Sequence, residues 1–381
     1  MKRYIAADIA EDLKTKMVFI GGPRQVGKTT LALDIISSSD SSSDSSSEAY
    51  LNWDDPEARH KILKLQIPAT FPVLIFDELH KFKKWRNWIK GLFDTRRSSQ
   101  TYLVTGSARL DIYRRGGDSL QGRYHYWRLH PLSIGEVDPA YGRDSLLRLL
   151  KFGGFPEPFF KGDERFWRRW QIERLSRVVR EDIRDLERVG DLSALEKLAM
   201  ELPHRVGSPL SIKSLREDLE VAHDTAARWL TILESMYYCF RIPPFGARKI
   251  RAVKKEQKLY LWDHSLVEDP GPRFENLVAS QLLKYCHLSE DRDGHRMELR
   301  YLRDIDKREV DFVVIRDGKP QFAVECKTGE KSISAALDYF RQRTPIPQFY
   351  QVHMGTKDFV HGSTGIRVLP FETFCKELKM P

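Results

Sequence analysis

Cysteine is scarce in this chain: Cys239, Cys286, Cys326 and Cys375 are the only four in 381 residues. They are scattered and form no C-x-x-C pair, which argues against a structural zinc site and a disulfide framework and fits a reducing compartment. Long apolar runs are missing too. The longest, such as VLIF at 73–76, fall far short of the roughly 20 residues that a membrane-spanning helix needs. The first residues, MKRYIAADIAEDLK, read as an amphipathic helix start interrupted by acids, with no signal segment. Internal repeats are absent as well. A cytoplasmic protein with no membrane partner is expected.

Charge, by contrast, is plentiful. Charged residues make up 31% of the chain and hydrophobic ones 41%, with a net charge of +9. That is the composition of a globular protein with a highly charged surface, and its length implies two or three domains. The positive balance favours an acidic partner, nucleic acid or nucleotide, although charge alone does not choose between them.

The first 140 residues alternate between short apolar runs and helical stretches. MVFI (17–20), AYLNW (49–53), FPVLIFDE (71–78) and TYLVTGS (101–107) read as strands, and RYHYWRLHPLS (123–133) as a last one. Strands interleaved with helices predict an α/β fold with a parallel, doubly wound sheet. A low-complexity Ser/Asp tract at 37–48 has nothing to bury and is expected to be a surface insertion.

Gly22-Pro23-Arg24-Gln25-Val26-Gly27-Lys28-Thr29 satisfies G-x-x-x-x-G-K-[ST] between a strand and a helix, and Thr30 follows it into that helix. The glycines let backbone N–H groups wrap phosphates, and the helix N-terminus adds a favourable dipole. Lys28 is expected to reach the β- and γ-phosphates of ATP, and the Thr29 hydroxyl to ligate Mg²⁺. The next apolar strand ends in Asp77-Glu78, at the sheet edge where ligands bind. Asp77 fits the acid that organises Mg²⁺, and Glu78 the base that polarises the attacking water. The strand tip Thr105-Gly106-Ser107 offers Ser107 as a polar sensor. Arg123 or Arg109 is expected to supply positive charge to the transferring phosphoryl group, and sequence does not separate the two.

The segments GPRQVGKTT, FDELHKFKKW, LVTGSARL, GDSLQGR and LHPLS, followed by GGFPEP, RVVREDI, RFENLVASQL and EVDFVV…VECK, occur in order along nearly the whole chain. In this the chain resembles the prokaryotic AAA-type ATPases that carry a C-terminal domain of unknown function. The Ser/Asp tract is one departure and touches none of these motifs. The resemblance implies ATP binding and hydrolysis, and self-association with an arginine placed across a subunit interface. It does not fix a biological task.

Residues 211–236 have helix–turn–helix spacing. Ile212, Leu215 and Leu219 line one helix, and Ala226, Trp229, Leu230 and Leu233 the next, with Asp224 expected to cap the second. The exposed side offers His223, Thr225 and Arg228 for groove contacts. Arg248, Lys249, Arg251, Lys254, Lys255 and Lys258 follow against a single acid, Glu256, where a winged helix keeps its wing. The same features also suit a lid or a protein-docking surface.

Near the C-terminus, Glu275, Asp311, Glu325 and Lys327 form an E…D…E-x-K set, the pattern of a restriction-endonuclease-like fold in which acids hold Mg²⁺. That pattern usually places proline before the aspartate, and Val310 stands there instead. The two carboxylates of the hairpin share a face only if Asp311 lies opposite Glu325. A three-residue loop, 317–319, gives that register, whereas a two-residue loop, 317–318, sets Asp311 opposite Val324. The productive register also puts Glu309 across from Lys327, an ion pair that would occupy the lysine.

The expected organisation is a P-loop AAA-type ATPase domain (1–140), a helical linker (141–205), a winged-helix domain (206–258) and a restriction-endonuclease-like α/β domain (259–381). The expected function is Mg²⁺-dependent ATP hydrolysis by a switch or motor associated with nucleic acid, DNA above all. The alternatives are a non-cutting regulatory NTPase that binds protein partners, and an ATP-gated metal-dependent nuclease.

Overall fold

The computed structural model describes residues 1–39, 48–96, 100–106, 120–178, 191–246, 256–330 and 333–381. The chain divides into two compact units, Met1–His130 and Pro131–Pro381. Among the described residues no helix is long and apolar enough to cross a membrane.

The first unit is built on five parallel strands: β1 (Met17–Gly21), β2 (Tyr50–Asn52), β3 (Val73–Asp77), β4 (Thr101–Thr105) and β5 (Tyr124–Arg128). Their spatial order is β2-β3-β4-β1-β5. Strand β1 is buried throughout, and β3 and β4 are buried at all but their first residue. Such runs are what a parallel sheet covered on both faces requires. Helix α1 (Ala6–Asp12) precedes β1, and α2 (Lys28–Ser39), α3 (Pro56–Leu63) and α4 (Trp85–Asp94) connect β1 to β2, β2 to β3 and β3 to β4. The start of α3 is fixed by Asp55, whose carboxylate accepts from the N–H of Ala58 at 3.0 Å, with Pro56 at the first helical position. The register matters most for function. Asp77 pairs with Thr105, and Thr105 pairs with Ile20, so the C-terminal tips of β3, β4 and β1 end level with one another.

The second unit opens with helices α5 (Ile134–Tyr141), α6 (Ser145–Phe152), α7 (Pro156–Lys161), α8 (Glu164–Arg177), α9 (Leu192–Glu201), α10 (Ile212–Leu219) and α11 (His223–Ser235). An antiparallel pair follows, β6 (Cys239–Ile242) and β7 (Lys258–Leu261). The long helix α12 (Pro270–Asp293) is capped by Asp269 and stopped by Gly294 in the left-handed region. A six-stranded mixed sheet completes the unit, in the order β12-β13-β11-β10-β9-β8. Its strands are β8 (Met297–Arg303), β9 (Glu309–Arg316), β10 (Lys319–Lys327), β11 (Phe349–His353), β12 (Phe359–Val360) and β13 (Arg367–Pro370). Helices α13 (Ala335–Arg341) and α14 (Phe371–Glu377) accompany it. Residues 131–140, placed with the ATPase domain on sequence grounds, are tied into this unit: Lys284 of α12 bonds the Pro131 carbonyl, the Ser133 hydroxyl and the Glu136 carboxylate.

Two local expectations need correction. Ala222 occupies the cap of α11 without a side-chain bond, and Asp224 sits in the first turn. The β9–β10 hairpin reaches the register that sets Asp311 opposite Glu325, but not through the expected three-residue loop. Its turn has two residues, Asp317 and Gly318, with φ of 53° and 77°, and Arg316 pairs with Lys319. Consecutive left-handed residues are what a type I′ turn needs. A bulge at Gln321 then adds one residue to β10, so Val314 pairs with Phe322 and Phe312 with Val324. Continuing that ladder sets Asp311 opposite Glu325. The shared face is thus reached through a tight turn and a bulge, without a longer loop.

Candidate functional site

The loop between β1 and α2 has the backbone that phosphate binding demands. Gly22, Gln25 and Gly27 have φ of 139°, 61° and 94°. A Cβ on Gly22 would lie 2.4 Å from the Leu129 carbonyl oxygen, so no larger residue fits. Lys28 is buried and folds back across the loop, donating to the carbonyls of Gly22 at 2.9 Å and Pro23 at 2.7 Å. Its ammonium thus sits over the loop. Thr30 is exposed on the first turn of α2. Arg3 braces the loop from behind, donating to the carbonyls of Val26 at 2.7 Å and His130 at 2.5 Å. A single arginine near the N-terminus belongs to no motif, and sequence reading passed over it.

Asp77 at the tip of β3 is gripped by hydroxyls. One carboxylate oxygen accepts from Thr29 at 2.8 Å and from Tyr50 at 2.6 Å. The other accepts from Thr105 and from the Glu78 N–H at 3.1 Å. Burial, followed by the neighbouring Asp77 carboxylate, pushes the Tyr50 phenol well up, so it stays a hydrogen-bond donor at neutral pH. Thr29 and Asp77 form the pair of hard oxygen donors that suits Mg²⁺. Glu78 follows at φ 55°, a conformation sparsely populated by non-glycine residues. Its Oε2 is buried without a hydrogen-bond partner among the described residues, 3.6 Å from His80 Nε2 and 3.5 Å from Lys81 Nζ. Of the expected polar tip of β4, Thr105 reaches Asp77; Ser107 and Arg109 lie outside the described residues.

Arg123 is not brought to this site. Its carbonyl accepts from the N–H of Met17, the first residue of β1, whereas the phosphate loop follows Gly21, the last. At about 3.3 Å per residue the two edges of the sheet are roughly 15 Å apart. Its guanidinium is held by Asp94 at 2.7 and 3.1 Å. Arg123→Ala is therefore expected to leave ATP turnover within about twofold of wild type, against the expectation drawn from sequence. Steady-state phosphate release measures this.

In the second unit, Arg228 is exposed and Thr225 half-buried on α11, while Ala226, Trp229, Leu230 and Leu233 are buried. Arg248, Lys249, Arg251, Lys254 and Lys255 lie outside the described residues. Lys258, counted with them on sequence grounds, is corrected by the fold: its side chain is fully buried. Its ammonium contacts Glu275 at 3.0 Å, Glu309 at 2.5 Å and Asp311 at 3.3 Å.

That placement also corrects the metal reading of Glu275, Asp311, Glu325 and Lys327. Two of the four, Glu275 and Asp311, do converge, but together with Glu309 on an ammonium. Among the described residues no group of three or more His, Cys, Asp or Glu is arranged to hold a metal. Lys327 pairs with Glu325 at 2.6 Å, and Glu309 pairs with Arg303 at 2.7 Å, so the expected Glu309–Lys327 bridge does not form. Burial, then the Asp311 charge, raises Glu275 to about 7 and Glu325 to about 8. Burial opposes the charge on Lys258, but Glu275, Asp311 and Glu309 outweigh it and hold the ammonium well above its ordinary value.

A five-stranded parallel sheet with a phosphate loop after β1 and an acid at the tip of β3 defines a P-loop NTPase. Residues 14–138 match the family model of an AAA domain. Residues 143–269 and 270–374 match two domains of unknown function, DUF8612 and DUF4143. The chain thus carries an AAA-type P-loop domain followed by two domains of unknown function. It is 23% identical over 354 residues to an uncharacterized protein of Mycobacterium tuberculosis, covering 88% of this chain and 76% of that one. To an uncharacterized protein of Methanocaldococcus jannaschii it is 22% identical over 386 residues, covering 86% and 78%. Among solved structures, the Aeropyrum pernix ORC1 protein in complex with DNA aligns with 74% of this chain and 94% of its own at 11% identity, TM-score 0.34. A signal transduction ATPase with numerous domains from Pyrococcus horikoshii aligns with 74% and 45% at 12% identity, TM-score 0.25.

Proposed function

We propose that the protein is a Mg²⁺-dependent ATPase that acts as a DNA-associated switch or motor and does not itself cut DNA. The observation that carries the ATPase reading is the Thr29–Asp77 contact at 2.8 Å, which joins the phosphate loop to the acid of β3. Bound Mg²⁺ would be held by Thr29 and Asp77 and would neutralise charge on the transferring phosphoryl group. Lys28, already over the loop, would exchange the carbonyls of Gly22 and Pro23 for phosphate oxygens. Tyr50 and Thr105 keep the Asp77 carboxylate oriented, and Glu78 offers the oxygen that would position the attacking water.

The DNA reading is supported by the order of elements in the second unit: α10 and α11, then the antiparallel pair β6–β7. This is the succession of a winged helix, with Arg228 exposed on the second helix and the basic segment 248–255 between the strands. The burial of Lys258 among the acids favours the non-cutting form of the reading over the ATP-gated nuclease.

ATP turnover measured with and without duplex, branched and single-stranded DNA tests this. Salt-sensitive stimulation by at least one DNA form is expected, with the signal lost in Glu78→Gln. Turnover that no DNA form alters, together with no salt-sensitive DNA affinity, would leave the regulatory NTPase that binds protein partners as the better account.

A further inference from the structure

The C-terminal acid set has the residue types of a metal-dependent nuclease, yet its centre is filled from within the chain. We propose that this set is a built-in ammonium socket whose resident cation is Lys258, standing where a nuclease of the same residue pattern keeps its divalent metal. The inference concerns the second unit only and is independent of the nucleotide site.

An ammonium has three protons to donate, and Lys258 Nζ faces three carboxylates, those of Glu275, Glu309 and Asp311. Its donors are thus fully used. Tyr260 donates to the same Glu275 oxygen at 2.7 Å, and the Cys326 N–H donates to Asp311 at 2.9 Å, so the acids are fixed in orientation as well. A divalent ion bound to these oxygens would have to occupy the space of the ammonium against its charge.

The lysine is delivered by rigid backbone. Lys258 pairs with Ile242 of β6 on one side and bridges Pro209 on the other, and the Gln257 carbonyl accepts from the Leu210 N–H at 2.8 Å. Charge agrees with this assignment. Four carboxylates, those of Glu275, Glu309, Asp311 and Glu325, meet three cations, Lys258, Lys327 and Arg303. The Oε2 of Glu325 is buried without a hydrogen-bond partner among the described residues. One excess negative charge in a buried site is relieved by a single proton, and the raised Glu325 and Glu275 are the groups that carry it. The consequence is mechanical: the socket fastens the β6–β7 pair, next to the helix–turn–helix, to the six-stranded sheet.

Mn²⁺ titration of the nucleotide-free full-length protein, followed by electron paramagnetic resonance of free Mn²⁺ and by Tm, tests the assignment. Asp311→Asn isolates the tail from any ion held at Asp77. Wild type and Asp311→Asn are expected to take up Mn²⁺ alike. Lys258→Ala is expected to gain a Mn²⁺ site, with a Mn²⁺-dependent rise in Tm, that Asp311→Asn removes. Mn²⁺ uptake in wild type that Asp311→Asn abolishes would overturn the proposal. So would a folded Lys258→Ala variant that gains no Asp311-dependent site. Should Lys258→Ala not fold, the wild-type and Asp311→Asn comparison decides alone: equal uptake upholds the proposal and unequal uptake overturns it.

Discussion

Asp77→Asn should lower Mg²⁺-dependent ATP turnover on the order of 10²–10³-fold, the usual loss when one preorganised electrostatic contact to a reacting phosphoryl group is removed. The aspartate is acceptor-only, and it accepts from the Thr29, Tyr50 and Thr105 hydroxyls and the Glu78 N–H. An asparagine would keep one acceptor oxygen and turn an NH₂ donor toward hydroxyls that now donate. Those on its NH₂ side would have to reverse, and a buried donor without an acceptor costs about 1–3 kcal/mol. The carboxamide is also neutral and loses the attraction to a divalent cation. Excess Mg²⁺ should therefore fail to restore the rate. Initial rates against Mg²⁺ at saturating ATP measure this, with a melting curve to confirm the fold. A variant within tenfold of wild type would remove Asp77 as the metal-organising acid.

What sequence made legible here was whatever is contiguous. The loop from Gly22 to Thr29 is a local motif, and Asp77 closes an unbroken apolar strand, so both announce themselves. Arg123 was misplaced for a reason visible afterwards: it precedes a parallel strand, and the residue before such a strand lies at the edge away from the ligands. Tyr50 and Arg3 act through partners 27 and 23 positions away, and no spacing rule connects them to the site. Lys258 looked like the last member of a basic run, yet it is the first residue of β7, a strand buried at all four positions. Whether a lysine at such a boundary faces water or acid is decided by the neighbouring sheet. The hairpin register turned on the bulge at Gln321, an extra residue that pattern alone does not reveal.

Lys258→Met should destabilise the second unit by about 3–5 kcal/mol at neutral to alkaline pH, the cost of removing one partner from a buried ionic group. The methionine keeps most of the stem and loses the ammonium, which lies 5.6 Å from the centroid of the Tyr301 ring, so the loss reports the charge. Its pH dependence follows from the carboxyls it leaves behind. Glu275 and Glu325 are already raised, to about 7 and about 8 from an ordinary 4.5, burial being the first cause and Asp311 the second. A carboxyl raised on folding binds its proton more tightly in the native state. Its contribution is complete below the unfolded value and is lost as pH climbs through the folded one. Lys258 is among the groups that hold both values down, so its removal raises them further and steepens the loss. The acids titrate as a set, which makes the sign of the slope the quantity to read. Urea melts of wild type and variant at about pH 5.5 and pH 8.5 should give a small difference at the first and a large one at the second. Adding Asp311→Asn to the variant should recover part of the loss at the higher pH, because one fewer carboxylate is left without its cation. An equal loss at both pH values would mean that Lys258 acts through packing alone.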